Sequence, residues 1–219
     1  MHRQAVLRRL SPVSVLDVGA SVGLYAEAMR TAGFQGPIYS FEPLPKAFAA
    51  LAARAKHDPA WTAVNVACGA EPSVLTIHQS QNSVSSSILS MTETHRAADR
   101  ASTYVGEDVP CEVITLDGYF GERDPAERFH LKIDVQGFED RVLRGAKATL
   151  SRVDSIEMEI SFTELYEEQA GWHDLIGGLL EDFELVDVRP GFRAHDYRLL
   201  QADVLLLRRC LVGPGTATS

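Results

Sequence analysis

Residues 13–25 read VSVLDVGASVGLY, and no other stretch limits the fold as tightly. A short apolar run ends in Asp17, the turn Gly19-Ala20-Ser21-Val22-Gly23 follows, and a helical pattern begins at once. Glycine lets the backbone bend sharply and lets a ligand come close. The helix that follows offers unpaired N–H groups at its N-terminus to a carboxylate or phosphate. A strand, a glycine turn and a helix in that order make a ligand cradle. They place the chain among proteins that bind a nucleotide-type cofactor.

The alternation continues beyond this unit. Strands are expected at Val13–Val18, Ile38–Phe41 and Trp61–Val66. Helices fall between them, marked by Val22, Ala26 and Met29 and then by Phe48, Leu51, Ala52 and Ala55 at helical spacing. Such a series implies a parallel sheet with right-handed crossovers. Val74–His78 and Cys111–Thr115 read as an inserted strand pair. Between them lies a polar stretch, 79–106, without clear periodicity, expected to be a lid or mobile loop carrying some irregular helix. Alternation resumes with a strand at Phe129–Val135 and a helix with Phe138, Val142, Leu143 and Ala146 on one face. Ile156–Ile160 is a strand, and Trp172–Asp182 a helix weakened by Gly177-Gly178. The last two strands, Phe183–Val188 and Ala202–Leu207, are joined without a helix and should be antiparallel neighbours. One domain is expected over 1–212, with 213–219 as a frayed tail.

The chain has 219 residues, enough for one sizeable α/β core. Its net charge of −9 argues against sequence-independent binding to nucleic acid, which needs basic surface. No apolar run is long enough to span a bilayer. The N-terminal MHRQAVLRRLSP lacks an apolar signal core, so the cytoplasm is the expected compartment. Cys68, Cys111 and Cys210 have no zinc spacing and read as buried free thiols. The seven histidines form no metal motif.

The glycine turn is G-x-x-x-G, with Ser21 at the position where a dinucleotide fingerprint has its middle glycine. That glycine lets the backbone meet a pyrophosphate, so a phosphate-free cofactor such as S-adenosyl-L-methionine fits the turn. Glu42 closes the second strand, where an acid can accept hydrogen bonds from both hydroxyls of an adenosyl ribose. Asn65-Val66-Ala67-Cys68-Gly69 ends the third strand on the same sheet edge, where Asn65 or nearby backbone could meet an adenine. In Leu131-Lys132-Ile133-Asp134-Val135-Gln136-Gly137, Lys132 and Asp134 project on one face of a central strand that should be almost wholly apolar. Buried unpaired charge costs about several kcal/mol, so the two belong in the open crevice at the strand's carboxyl end, or paired with each other. Glu157 and Glu159 repeat the spacing on the next strand, with Glu159 nearer the crevice and Glu157 within reach of Lys132. Glu139 begins a helix, where capping and substrate contact are equal alternatives.

These stretches resemble the FkbM-type methyltransferases, a branch of the class I S-adenosylmethionine-dependent enzymes. The matching segments are LDVGASVGLY (16–25), FEPLPKAF (41–48), NVACG (65–69), TLDGY (115–119), LKIDVQGFEDRVLRGA (131–146) and ADVLLLRR (202–209), in the family's order. Ser21 stands where the family usually has Asn, and Gln136 replaces a glutamate found in many relatives. The resemblance implies a Rossmann-like α/β fold with a mostly parallel seven-stranded sheet and an antiparallel last strand. It also implies methyl transfer, most often to an oxygen of a sugar or natural-product scaffold. The small-molecule acceptor itself and the oligomeric state are not carried over. Cofactor contacts are expected from Asp17, Gly19, Ser21, Gly23, Tyr25, Glu42, Pro43, Asn65, Ala67 and Asp134. Asp134 is the first candidate for the base, Glu159 the second, and Lys132 would hold the acceptor or tune Asp134. The Ser85-Ser86-Ser87 segment could close over the acceptor. A divalent metal shared by Asp134, Glu139 and Glu159 is allowed, though no spacing demands it. The rival readings are a nicotinamide-dependent oxidoreductase and a non-catalytic methyltransferase-like subunit.

Overall fold

The computed structural model describes residues 14–78, 87–98 and 108–212. In chain order the first elements are β1 (Ser14–Val18), α1 (Leu24–Thr31), β2 (Ile38–Phe41), α2 (Pro45–Ala55), β3 (Trp61–Val64), β4 (Ala67–Cys68) and β5 (Ser73–Ile77). There follow α3 (Glu93–Ala98), β6 (Val109–Ile114), α4 (Leu116–Phe120), β7 (Phe129–Ile133), α5 (Glu139–Arg144) and α6 (Lys147–Leu150). The chain closes with β8 (Val153–Ser161), α7 (Trp172–Leu179), β9 (Phe183–Pro190) and β10 (Gln201–Arg208). Seven strands form one sheet in the order β3-β2-β1-β7-β8-β10-β9. The pairings from β3 through β8 are parallel, and β10 runs antiparallel to both β8 and β9. This is the expected class I methyltransferase architecture, with the reversed strand slotted inside the edge.

Register explains what each face does. Asp17 lies beside Ser40 on one side and Lys132 on the other, and Lys132 lies beside Glu157. Side chains alternate faces along a strand, so these groups share one face with Val15 and His130. The opposite face is largely apolar: Leu16, Val18, Phe41, Leu131, Ile133 and Met158 belong to one continuous core. On the first face, the part near β2 and β3 is apolar and packs with α1 and α2 through Ala26, Met29, Leu51 and Ala55. The part over β7 and β8 is buried yet polar. His130 and Ser155 are fully buried, and Glu157 is 2% exposed. Tyr25 Oη meets His130 Nε2 at 2.7 Å and donates to Glu157 Oε2 at 3.2 Å, while His130 Nδ1 meets Ser155 Oγ at 2.7 Å. Such a face is tolerable because its groups are hydrogen-bonded to one another.

Several boundaries differ from the sequence reading. The third strand stops at Val64, because the Asn65 side chain donates to the carbonyls of Glu42 (2.8 Å) and Pro43 (3.1 Å) and turns the chain away. Ala67–Cys68 then pairs with β6, so the inserted pair β5 and β6 is a three-stranded sheet ordered β4-β6-β5. The helix after Gly137 is two short helices, α5 and α6, broken at Gly145 and Ala146. Among the thiols, Cys68 and Cys111 are buried as expected, but Cys210 is exposed. Within the polar stretch 79–106, the described part is ordered around α3 and a bridge between Met91 and Tyr166. Ser85 and Ser86 lie outside the described residues. No helix among the described residues is long and apolar enough to cross a membrane.

Helix α7 ends at Leu179, short of Asp182, and carries both adjacent glycines. A Cβ at Gly177 or Gly178 meets nothing within 4 Å. Alanine at each is expected to stabilise the protein by about 0.5–1 kcal/mol through reduced unfolded-state entropy. Urea denaturation of the double variant checks this, and a lower midpoint contradicts it.

Candidate active site

The carboxyl ends of β1, β2 and β7 open into one cleft. Its walls include Gly19 and Ser21 of the glycine turn, Glu42 and Pro43, Ala67, and Asp134 with Gln136. In open α/β sheets ligands bind in such a crevice, beyond the carboxyl ends of the strands. The apolar lining comes from Phe41, Leu44, Cys68 and Phe138, and Ser87 and Ile88 close one side.

Glu42 organises the cradle. It is 5% exposed, and its Oε2 accepts from the Ser21 N–H at 2.8 Å while Oε1 accepts from the Leu44 N–H at 2.8 Å. The anion held by the glycine turn is therefore this protein's own carboxylate. Each oxygen keeps a second lone pair for a ligand hydroxyl. Burial raises the Glu42 pKa, and the two amide bonds work against that rise. Two non-glycine residues at the cleft hold left-handed backbones, Ser21 with φ 48° and Gln136 with φ 55°. Such strain persists where the surroundings over-determine it, and it clusters at functional sites.

At the end of β7, Lys132 Nζ donates to Asp134 Oδ2 at 2.9 Å. Lys132 is 8% exposed, and its ammonium also lies 5.7 Å from the centre of the Tyr25 ring. The two charges thus form an ion pair, and its Asp134 end lines the crevice. Burial works against Asp134 ionising, but Lys132 and a hydrogen bond from Gln136 hold its carboxyl below the usual range. Burial likewise works against the Lys132 charge, yet Asp134, Asp17 and Glu157 hold its pKa above the ordinary value. Asp17, beneath the turn, is pushed by burial up to about 6, with Lys132 and the Ser40 hydroxyl opposing.

Glu159 has the opposite environment from Asp134. Burial, and after it the charges of Asp134, Glu139 and Asp203, raise its pKa well above the normal carboxylate range. Its Oε2 accepts from Gln201 Nε2 at 2.6 Å and from Gln136 Nε2 at 3.1 Å. Paired carboxyl groups with divergent pKa values are the usual mark of a divided acid–base role.

Several candidates lie elsewhere. Asn65 is exposed and props the β2–α2 connection through its side-chain amide. Tyr25 turns under the sheet to His130 and Glu157. Gly23 faces the α2–β3 layer: a Cβ there falls 2.9 Å from Leu51 and 3.0 Å from Trp61. Asp17 is 1% exposed and accepts from the Ser40 hydroxyl at 3.0 Å, so its place is structural support below the cavity. Glu139 caps the turn before α5, its Oε1 accepting from Gly137 N–H at 3.1 Å and Val135 N–H at 3.4 Å. Its other oxygen is buried with no hydrogen-bond partner among the described residues, and burial pushes the carboxyl up to about 7. Among the described residues no three His, Cys, Asp or Glu side chains are placed to hold a metal ion, so Asp134, Glu139 and Glu159 do not form a shared metal site. Spacing alone does not mark Gln136 as a site residue. Ser87 belongs to the segment expected to close over the acceptor, but its bond to Gln136, 49 residues away, is visible only in the fold.

Comparison with known proteins identifies the family and the fold. A family model described as "Methyltransferase FkbM domain" matches residues 17–199. A 2-O-methyltransferase, NoeI, of Sinorhizobium fredii (strain NBRC 101917 / NGR234) is 30% identical over 213 residues, covering 94% of this chain and 84% of that protein. The crystal structure of a methyltransferase FkbM from Methylobacillus flagellatus KT superposes with a TM-score of 0.51 at 15% identity. That match covers 90% of this chain, which spans 45% of the solved one, and it speaks to fold.

Proposed function

The chain belongs to the FkbM methyltransferase family, and we propose from that premise that it uses S-adenosyl-L-methionine to methylate a hydroxyl of a sugar or natural-product small molecule. The observation that carries this reading is the cleft itself. An acid that closes β2 and grips the glycine turn stands across from an ionised aspartate at the end of β7. The residues present fit the group. The Gly19–Ser21 turn would hold the amino-acid end, Glu42 the ribose, and the slot between Phe41, Leu44 and Cys68 the adenine faces. S-adenosyl-L-methionine supplies, when bound, a methyl carbon made electrophilic by a sulfonium.

The protein's part is orientation and proton removal. Alignment of reacting groups is worth roughly 7–11 kcal/mol in favourable cases. Asp134, held as the anion, would face the sulfonium's positive charge. Glu159 would take the proton of the acceptor hydroxyl. Glu159 is preferred over Asp134 as base, because burial raises its pKa while the Lys132 ion pair weakens Asp134 as a base. Methylation at oxygen draws its support from NoeI, whose name describes a 2-O-methyltransferase.

Calorimetric titration with S-adenosyl-L-methionine and with S-adenosylhomocysteine tests the reading. Both should bind and raise the melting temperature. Only the methylated compound carries a sulfonium and with it a net positive charge, and an added cation favours the ionised forms of Asp17 and Glu139, whose pKa values stand near 6 and 7. Its binding should release more protons near pH 6.5, seen by repeating the titration in buffers of different ionisation enthalpy. Its affinity relative to the net-neutral product should rise with pH across that window. Absence of heat and of thermal protection with both compounds defeats the proposal. Binding without methyl transfer to any of a broad panel of alcohols favours a non-catalytic subunit.

A further inference from the structure

Gln136 makes more connections across the cleft than any role in cofactor binding requires. Its side-chain Nε2 donates to Asp134 Oδ1 at 2.9 Å and to Glu159 Oε2 at 3.1 Å. Its side-chain Oε1 accepts from the Tyr166 hydroxyl at 2.7 Å. Its backbone carbonyl accepts from the Ser87 hydroxyl at 2.6 Å. The residue holds a left-handed backbone, φ 55°, and Gly137 after it has φ 97°. A Cβ on Gly137 would lie 3.0 Å from the Tyr166 side chain, so the turn is clamped against that ring. Tyr166 is fully buried, and its strand bridge to Met91 ties the same corner to the 87–98 segment.

We propose that Gln136 is a positioning residue for methyl transfer, its amide holding the carboxyl groups of Asp134 and Glu159 in register while its two carbonyls anchor that arrangement to Tyr166 and Ser87. The inference rests on the functional reading above. A primary amide suits this place for a chemical reason. It offers two N–H donors to two carboxyl oxygens and an acceptor to a phenol, and it adds no charge. A glutamate at the same position keeps the bond from Tyr166 but replaces the shared donor with a third carboxyl group. A methionine keeps the volume and loses every side-chain hydrogen bond.

The test uses the full chain labelled with 13C at glutamate side-chain carboxyls, with Glu159 assigned from E159Q. Removing a donor from a carboxylate disfavours its ionised form. In Q136M the Glu159 resonance is therefore expected to titrate about one pH unit higher than in the parent protein, as fits the loss of one charge-assisted hydrogen bond. Q136E should move it upward as well, through like charge, and serves if Q136M does not fold. In both variants affinity for S-adenosylhomocysteine should stay within about threefold of the parent, since the turn and Glu42 are untouched. An unmoved Glu159 titration in a variant that still binds S-adenosylhomocysteine overturns the inference alone. A parent protein that binds neither S-adenosyl compound overturns the functional reading, and the inference falls with it.

Discussion

Gly19→Ala is expected to cost about 3–5 kcal/mol of stability and to abolish measurable binding of S-adenosyl-L-methionine. A Cβ at this position would lie 1.9 Å from the backbone oxygen of Asp134, on a residue with φ 80°. No real side chain tolerates that approach, and the obstacle is backbone, so neither strand can yield cheaply. Position 19 donates to Phe41 O at 3.0 Å, and Asp134 N–H donates to Val18 O at 3.0 Å. The clash would pry apart β1 and β7 at the point where the cleft opens. Overpacking and strain of this kind lie in the upper tail of single-substitution effects. For a chain of this size the loss corresponds to a melting temperature lower by roughly 10 °C. Gly33→Ala is the control. Gly33 has φ 94°, but a Cβ there would meet nothing within 4 Å, so only backbone strain of about 1–2 kcal/mol applies. Thermal denaturation of the two variants side by side decides the matter: equal losses would show that close approach at Gly19 contributes nothing.

Asp134→Asn should lower methyl transfer by about a hundredfold or more, the scale of losing one preorganised electrostatic contact at a reacting centre. Affinity for S-adenosylhomocysteine should stay within about tenfold of the parent, because the product carries no sulfonium charge. The substitution also leaves the buried Lys132 ammonium without its 2.9 Å partner. Breaking a buried pair typically costs about 3–5 kcal/mol. Here about 2–3 kcal/mol is expected, because Asp17 and Glu157 still act on the ammonium and Asp134 itself is partly exposed. The pH dependence has a definite sign. The Asp134 pKa is depressed in the folded protein, so its contribution is present above the unfolded value near 4 and fades as pH falls through the folded value. The stability gap between parent and variant should therefore be widest near neutrality and close in strong acid. Transfer of a labelled methyl group to a panel of sugar and polyketide alcohols, with urea denaturation at several pH values, measures both effects. Unchanged transfer removes Asp134 from the mechanism.

Much of the architecture is legible because its signals are local. The strand–turn–helix at 13–25, the acid closing β2 and the helix-free link between β9 and β10 each follow from neighbouring residues. Lys132 and Asp134 stand out because charge at period two in a central strand has few physical excuses. The same logic flags Glu157 and Glu159, and the register sets Glu157 beside Lys132 on the shared polar face. What such reasoning could not assign was ownership of hydrogen bonds. Lys132 pairs with Asp134, and Glu157 is taken by Tyr25. Asn65 is turned outward by two carbonyls that local sequence does not bring near it.

Local chemistry, then, determined the kind of fold, the sheet edge where the cleft lies and the acids beside it, because turn conformations and side-chain periodicity depend on residues a few positions apart. Tertiary structure alone decided which of those acids stays ionised, that Glu42 braces the glycine turn, and that Gln136 joins Asp134, Glu159, Tyr166 and Ser87 at one corner. Those outcomes depend on burial and on contacts between segments dozens of residues apart, and no short window of the chain contains them.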